Sequence, residues 1–230
     1  MAFVKYDRRT EEKATDLHTL GQVARTYFGH RSPHVILTGL SIALVVRVLV
    51  GGYDIADLVV LAVTISMVGA VEWFIHLFLL HAPTDSLRMT KFKTGAGHRE
   101  HHLDPDNIGW LMLGPPDAAV FLVMLLAWNA TWPLLVAWAL GASLLSTYLT
   151  AVVASYVMLA HYEWTHLLVH TRYRPKVGYY RRLVTHHRLH HYRNEHNWLG
   201  VTSRVGDRAL GTLPASKSDV PLSDTARTLS

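Results

Sequence analysis

Ten histidines recur at spacings that a helix turns into shared faces. His98, His101 and His102 stand at i, i+3 and i+4; His187, His190 and His191 repeat the pattern; His166 and His170 stand at i and i+4. On a helix each set projects from one side and can offer several imidazole nitrogens to a common point. His76 and His81 differ, because five residues on an α-helix turn about 500° and leave the two rings roughly 140° apart unless the helix ends between them. Pro83 supports an ending there. Neutral imidazole is a transition-metal ligand, and ten exceed the roughly six positions of an octahedral ion, so the count points to two metals. The chain holds 16 histidines and no cysteine. Thiolate zinc sites, iron–sulfur clusters, thiolate-ligated haem and cysteine nucleophiles are thereby excluded, and any metal is held by nitrogen and oxygen. Glu72, one turn before His76, and Glu163, three residues before His166, are placed to accept an N–H from a ligating ring.

The elements that must position these residues are membrane spans. The chain has 230 residues, 50% hydrophobic and 17% charged. Residues 118–162 contain no Asp, Glu, Lys or Arg, a run that as one helix would reach about 65 Å, roughly twice a bilayer's hydrocarbon core. It must turn back, and residues 128–133, with two tryptophans, Asn129 and Pro133, are the expected corner. A second apolar block covers 35–50, pauses at Gly51, Gly52, Tyr53 and Asp54, and resumes from Leu58. The expected fold is therefore an all-α integral membrane protein with four transmembrane helices in two hairpins, at about 34–53, 56–81, 117–130 and 133–160. A cytoplasmic helical cap at 81–116 and 161–213 carries the histidine boxes.

Charge sets the orientation. Of 22 Lys and Arg, all but Arg47 fall in 1–34, in the middle loop or after Thr171, so both termini and that loop read as cytoplasmic. The basic net charge of +5 is then topology rather than a nucleic-acid surface, and Arg47 is expected to snorkel. No cleavable signal peptide is visible. Within 1–34, Leu17, Leu20, Val23, Ala24, Tyr27 and Phe28 recur at helical spacing after a start at Thr10, Glu11 and Glu12. That pattern suits an amphipathic helix on the membrane surface or, equally, one packed on the cytoplasmic domain. The domain is expected to span 1–213, with 214–230, rich in Ser, Thr, Asp and Pro, as a disordered tail.

This topology delivers all ten histidines to one membrane face. A lone histidine is more often an ordinary residue, the reading for His18, His30, His34, His161 and His196; for His186, beside the last cluster, both readings stand open. A histidine-rich stretch could also serve lipid head groups or pH sensing, but that explains neither the repeated HxxHH spacing nor the gathering on one face.

The motifs resemble those of the fatty acid hydroxylase and sterol desaturase superfamily. The residues that carry the likeness are Glu72 to His76 with His81, the HxxHH of 98–102 followed by Leu-Asp-Pro-Asp-Asn, and Gly114-Pro115-Pro116. Tyr162-Glu163-Trp164-Thr165-His166 with His170, His187 to Asn194, and Gly200 to Thr212 complete it. The second half is closest to the fatty acid 2-hydroxylase branch; Leu77 departs from the family pattern, which often has a basic residue after the first-box histidine, and the stretch 172–187 is also similar to bacterial carotenoid ring hydroxylases. The resemblance implies a non-haem di-iron enzyme that uses dioxygen on lipid chains, with His76, His81, His98, His101, His102, His166, His170, His187, His190 and His191 as ligands to two iron ions.

A lipid chain is then expected to rise from the bilayer to the metals, with Trp73, Phe74, Phe78, Tyr156 and Trp164 as candidate lining. The chain shows no flavin, nicotinamide or haem motif, so the electrons are expected from a separate ferredoxin or cytochrome with its reductase, docked on the basic face. A sterol or carotenoid hydroxylase, or a desaturase, would share the same centre. A metal transporter would need polar ligands along a path at mid-membrane, a membrane cytochrome would need histidines within the spans, and a zinc hydrolase would need only three.

Overall fold

A computed structural model describes residues 10–83, 85–86 and 95–223. Four helical stretches are long and apolar enough to cross a membrane: Arg31–Val50, Ile55–Leu80, Val120–Leu140 and Leu144–His170. The described residues contain no β-ladder beyond a single bridge between Lys13 and Asn107. The protein is all-α and multi-pass.

The first helix, α1 (Leu20–Gly29), starts at Thr19, whose hydroxyl accepts from the Gln22 amide while the Gln22 side chain accepts from Thr19. This capping box overrides the expected start at Thr10. Residues 10–14 instead pair with the 106–108 segment, through Ala14 N–H to Asp106 O at 2.7 Å and Asn107 to Thr10. Val23 and Tyr27 of α1 are buried with Ile108, Leu111, Met112, Leu167 and Leu168, so α1 packs on the domain, and its Leu20 and Phe28 are exposed. Residues 1–9 of the expected amphipathic segment lie outside the described residues.

The spans are set by their caps. Helix α2 (Arg31–Val50) ends at Gly51, whose φ of 64° favours glycine. Helix α3 (Ile55–Ile75) opens on a capping box between Asp54 and Asp57. After α4 (Ala96–Leu103) and α5 (Ile108–Leu111) comes α6 (Pro115–Asn129), then a break at Ala130 and Thr131, α7 (Trp132–Leu140) and α8 (Leu144–His170). The third span therefore does not turn back at 128–133. Pro133 sits in the first turn of α7, where no amide hydrogen is needed, and Asn129 donates to Ser155 on α8 at 3.0 Å, so the apolar run continues past the break. The chain reverses at Gly141, left-handed at φ 66°, with Ser143 capping α8. The last two spans become 120–140 and 144–170.

Helix α8 is the axis of the molecule. Both α2 and α3 pack against it, with α6, α7 and the later α9 (Gly178–Tyr192) around it, and α10 (Val205–Leu210) lies on α3. The Ser146 hydroxyl reaches the carbonyls of Gly51 and Gly52 at 3.1 and 2.8 Å, which joins the two interspan turns at one end of the bundle. At that end Arg47 is buried rather than snorkelling. It pairs with Asp57 at 3.0 Å, donates to Thr150 at 2.6 Å and to Gly51 O at 2.7 Å, and lies 4.1 Å from the centre of the Tyr53 ring. A buried cation needs such partners, and Asp57 and Thr150 on the two neighbouring spans supply them. The tail also departs from expectation over 214–223. Ser216 and Asp219 form a capping box, Val220 is buried, and Arg193 and Asn194 bond to the carbonyls of Val220 and Pro221. Residues 224–230 of that expectation are not among those described, and neither are 84 and 87–94 of the middle region.

Candidate metal centre

At the opposite end of the bundle four elements converge. Beyond Ile75, residues His76–Leu80 form a π-helical turn, closed by a hydrogen bond of 3.0 Å from His81 N–H to His76 O. One extra residue per turn brings position i+5 over position i. His76 and His81 therefore do not diverge as α-helical geometry predicts; their rings stack with centroids 5.1 Å apart.

The ten histidines form two groups of five: His76, His81, His98, His102 and His190, and His101, His166, His170, His187 and His191. In each, the candidate ligand atoms lie within 4.8 Å of one another. The two HxxHH helices divide themselves between the groups. On α4 the i and i+4 histidines, His98 and His102, enter the first group and the i+3 residue, His101, the second. On α9 the pattern is reversed, with His187 and His191 in the second and His190 in the first. The groups touch where the rings of His102 and His191 stack at 4.1 Å.

Hydrogen bonds decide which nitrogen faces inward. His76 Nδ1 donates to Leu199 O, and His190 Nδ1 donates to Asn197 O at 2.9 Å. A carbonyl can only accept, so both Nε2 atoms are the unprotonated ones. Yet His76 Nε2 meets His98 Nε2 at 3.0 Å, and His190 Nε2 meets those of His81 and His102, each at 3.2 Å. In the second group His187 Nε2 lies 2.9 Å from that of His170 and 3.1 Å from that of His191, and buried His166 Nε2 has no partner. Burial first, then the neighbouring imidazoles, holds His98, His101, His102, His187, His190 and His191 well below the usual histidine range, and His81 is lowered for the same reasons. The unprotonated Nε2 atoms of His76 and His190 thus face Nε2 atoms of His98, His81 and His102, and gathered neutral imidazoles suit a metal cation; these separations are about those of two nitrogens roughly 2.1 Å from one ion at right angles. The residues fit a metal in each group.

Glu72 and Glu163 do not take the ring N–H bonds expected of them. Glu72 accepts from the Thr202 amide at 3.0 Å and from its hydroxyl, and Glu163 accepts from the Ser32 hydroxyl and, at 3.1 Å, from Leu113 N–H. Both carboxylates are committed to partners outside their own helices. The loop at 197–212 does that work instead. Asp207, fully buried, accepts from Leu199 N–H and Gly200 N–H, both at 2.8 Å, from the Thr212 hydroxyl at 2.5 Å, and pairs with His186 at 2.9 Å. His186 is thus a structural partner of Asp207 and belongs to neither metal group. The loop approaches α3 so closely that a Cβ on Gly206 would lie 2.3 Å from Gly69 O. Asp207 and the carbonyls of Asn197 and Leu199 were missed as orienting groups; backbone acceptors leave no mark in residue type.

Of the histidines expected to be ordinary, His18 and His34 are exposed and His30 caps α2. His161 lies beside Tyr179, and exposed His196 stays outside both groups.

A cavity of about 90 Å³ adjoins both groups, lined by His98 and His166 with Leu79, Leu80, Trp110, Met112, Asp117, Val120, Phe121, Met124, Tyr162 and Glu163 among others. None of the five candidate aromatic residues lines this cavity. Trp73 bonds to Thr212 at 2.8 Å, Phe74 and Phe78 are exposed with ring centres 4.9 Å apart, Tyr156 packs on Gly39, and Trp164 meets Tyr27 edge-on at 5.4 Å. Helical periodicity marks a buried or lipid-facing side without telling which neighbour it meets.

The chain is 31% identical over 147 residues, 64% of its length, to a dihydroceramide fatty acyl 2-hydroxylase of Arabidopsis thaliana, and spans 57% of that relative. No solved structure matches it. The family model described as fatty acid hydroxylase matches residues 59–212, a stretch that contains both histidine groups and the loop that orients them, and the chain belongs to this family.

Proposed function

We propose that the protein is a membrane-bound di-iron hydroxylase acting on a lipid acyl chain. One atom of dioxygen enters a C–H bond and the other leaves as water, with two electrons and two protons supplied from outside. The observation that carries this reading is the pair of five-histidine groups, the second wholly buried and the first half-buried, beside a cavity whose wall includes Val120, Phe121 and Met124 of α6. Two iron ions, one in each group, would supply the activation of dioxygen that attack on an unactivated C–H bond requires.

The chain's own part is position. The carbonyls of Leu199 and Asn197 fix the rings of His76 and His190, and burial keeps the imidazoles unprotonated. The cavity brings a lipid segment against His98 and His166, so the carbon that reacts is chosen by how far the chain enters. Exposed Arg172, Arg174, Lys176, Arg181, Arg182 and Arg188 surround the start and one side of α9. This basic surface suits an acidic electron carrier of the ferredoxin or cytochrome type with its reductase; turnover with a purified acidic donor should fall as salt rises. The orientation that accords with the basic residues puts this end and both termini in the cytoplasm.

The test is stoichiometry together with product. Purified protein should hold about two irons per chain and form hydroxylated lipid only with oxygen and electrons. His190→Ala and His101→Ala each remove a ligand from a different group, so each should lower iron to about one per chain and abolish product while leaving membrane insertion intact. Full activity in both variants, or no iron in the parent, would overturn the reading.

A further inference from the structure

His196 belongs to neither histidine group, yet it stands at the edge of the first. Its side chain is 66% exposed, and its ring centre lies 6.5 Å from that of His81. The same 6.5 Å separates His98 from His190, both members of that group. Two imidazoles on one ion have ring centres roughly 4.5 Å apart at right angles and roughly 6.4 Å apart when opposite, so the separation suits an ion passing between His196 and His81. Glu195 supplies a second donor, with Oε1 3.9 Å from His196 Nε2 and Oε2 accepting from the Ser223 hydroxyl. An oxygen and a nitrogen that share an ion lie between about 3.0 and about 4.2 Å apart. The turn that carries both residues is fixed: His196 N–H donates to Asn194 Oδ1 at 2.9 Å, Trp198 holds a left-handed φ of 55°, and Asn197 O accepts from His190 Nδ1. A left-handed backbone at a residue as bulky as tryptophan persists only where its surroundings enforce it, and here Trp198 N–H donates to Thr212 O at 3.1 Å.

The two groups differ in access. His81, His98 and His102 of the first are half-buried, whereas all five histidines of the second are buried. An ion arrives from solution as a hydrate and exchanges its waters for imidazoles one at a time, so a metal site needs a path in as well as ligands. We propose that His196, with Glu195, is the loading port of the first group: it takes a hydrated divalent ion from solution and passes it to His81, and the ion leaves by the same route. His196 is then not a resident ligand. A residue on the path lowers the barrier in both directions alike. It therefore sets how fast the ion exchanges and not how tightly the filled group holds it, which separates a port from a ligand and from a purely structural residue.

The inference rests on the two-metal reading, and the test tells their failures apart. Metal-stripped protein in lipid discs is mixed anaerobically with ferrous iron, and the loaded protein is then challenged with an excess of a ferrous chelator. Uptake and release are followed in the parent and in the His101→Ala background, where the first group keeps all its ligands and the second does not. His196→Ala should slow both by about ten-fold, the low end of what a residue adjoining metal ligands contributes, while affinity and final iron per chain stay as without it. His196→Glu keeps a metal-binding donor and should restore the rates. Unchanged rates in His196→Ala overturn the port. So does a fall in affinity or iron content, which makes His196 a ligand, and so does a His196→Glu variant as slow as His196→Ala. If His101→Ala holds no iron, the faster phase of exchange in the parent decides in its place. A parent that takes up no iron sinks the metal centre and the port with it, whereas a parent that fills both groups while His196→Ala exchanges at the parental rate sinks the port alone.

Discussion

At the scale of the residue, the centre is held by atoms that are not themselves candidate ligands. Asp207 gathers Leu199 N–H, Gly200 N–H, Thr212 and His186, and so holds the loop whose carbonyls set His76 and His190. Orienting groups of this kind are worth about 10–100-fold in metal affinity. Asp207→Ala is expected to weaken iron in the first group by about that factor and leave the second group filled, as read by chelator competition; equal loss from both groups would show that the loop acts on the fold rather than on the rings. Protonation gives a second prediction. In the metal-free protein, burial holds His98, His101, His187, His190 and His191 below their ordinary value, whereas in the unfolded chain they titrate at about 6.5. Depressed folded values mean that the unfolded chain binds more protons in acid. Stability from these groups is therefore intact above about pH 6.5 and is lost below it, by up to ~1.4 kcal/mol per pH unit for each histidine. The unfolding midpoint of metal-stripped protein should fall steeply from pH 7 to pH 5, and a flat profile would contradict the neutral, buried state.

At the scale of the element, HxxHH on a helix supplies both groups at once, because positions i and i+4 point one way and i+3 diverges from i+4 by about 100°. The π-helical turn does the corresponding work for His76 and His81 by letting a five-residue spacing act as one turn. Deleting Phe78 should relax the turn to an α-helical one with the histidines at i and i+4, still on one face, and iron should stay near two per chain. Inserting an alanine after Phe78 should swing His81 away and cost the first-group iron. Loss on deletion with retention on insertion would mean that the two histidines are not held by helical phase.

At the scale of the whole molecule, the polar residues inside the spans are distributed by task. One end holds the buried cluster of Arg47, Asp57 and Thr150 and the tie from Ser146 to Gly51 and Gly52; the other holds the histidines. Breaking a buried pair such as Arg47 with Asp57 typically costs about 3–5 kcal/mol, so the far end braces the helices that carry the two histidine groups. The absence of cysteine makes the orientation directly testable. Tyr53→Cys and Ser218→Cys place single thiols at exposed positions near opposite ends of the chain's topology. An impermeant thiol reagent applied to intact cells should label the first and spare the second until the membrane is opened. The reverse pattern would invert the proposed topology and put the basic face on the wrong side for a cytoplasmic donor.

Residue type and spacing by themselves determined an all-α membrane fold with four spans and the ten histidines that gather into groups able to hold metal. These are properties of local periodicity and of charge distribution, which need no partner to be expressed. The tertiary structure decided what depends on neighbours distant in the chain. It divided the ten rings into two fives, since HxxHH specifies a face but not which histidines meet across it. It moved the return of the third span from 128–133 to Gly141, because a proline in a first helical turn does not stop a helix. It gave Arg47 to Asp57, His186 to Asp207 and Glu163 to Ser32 and the cavity, pairings up to 131 residues apart that only packing against α8 and the 197–212 loop brings within hydrogen-bonding distance.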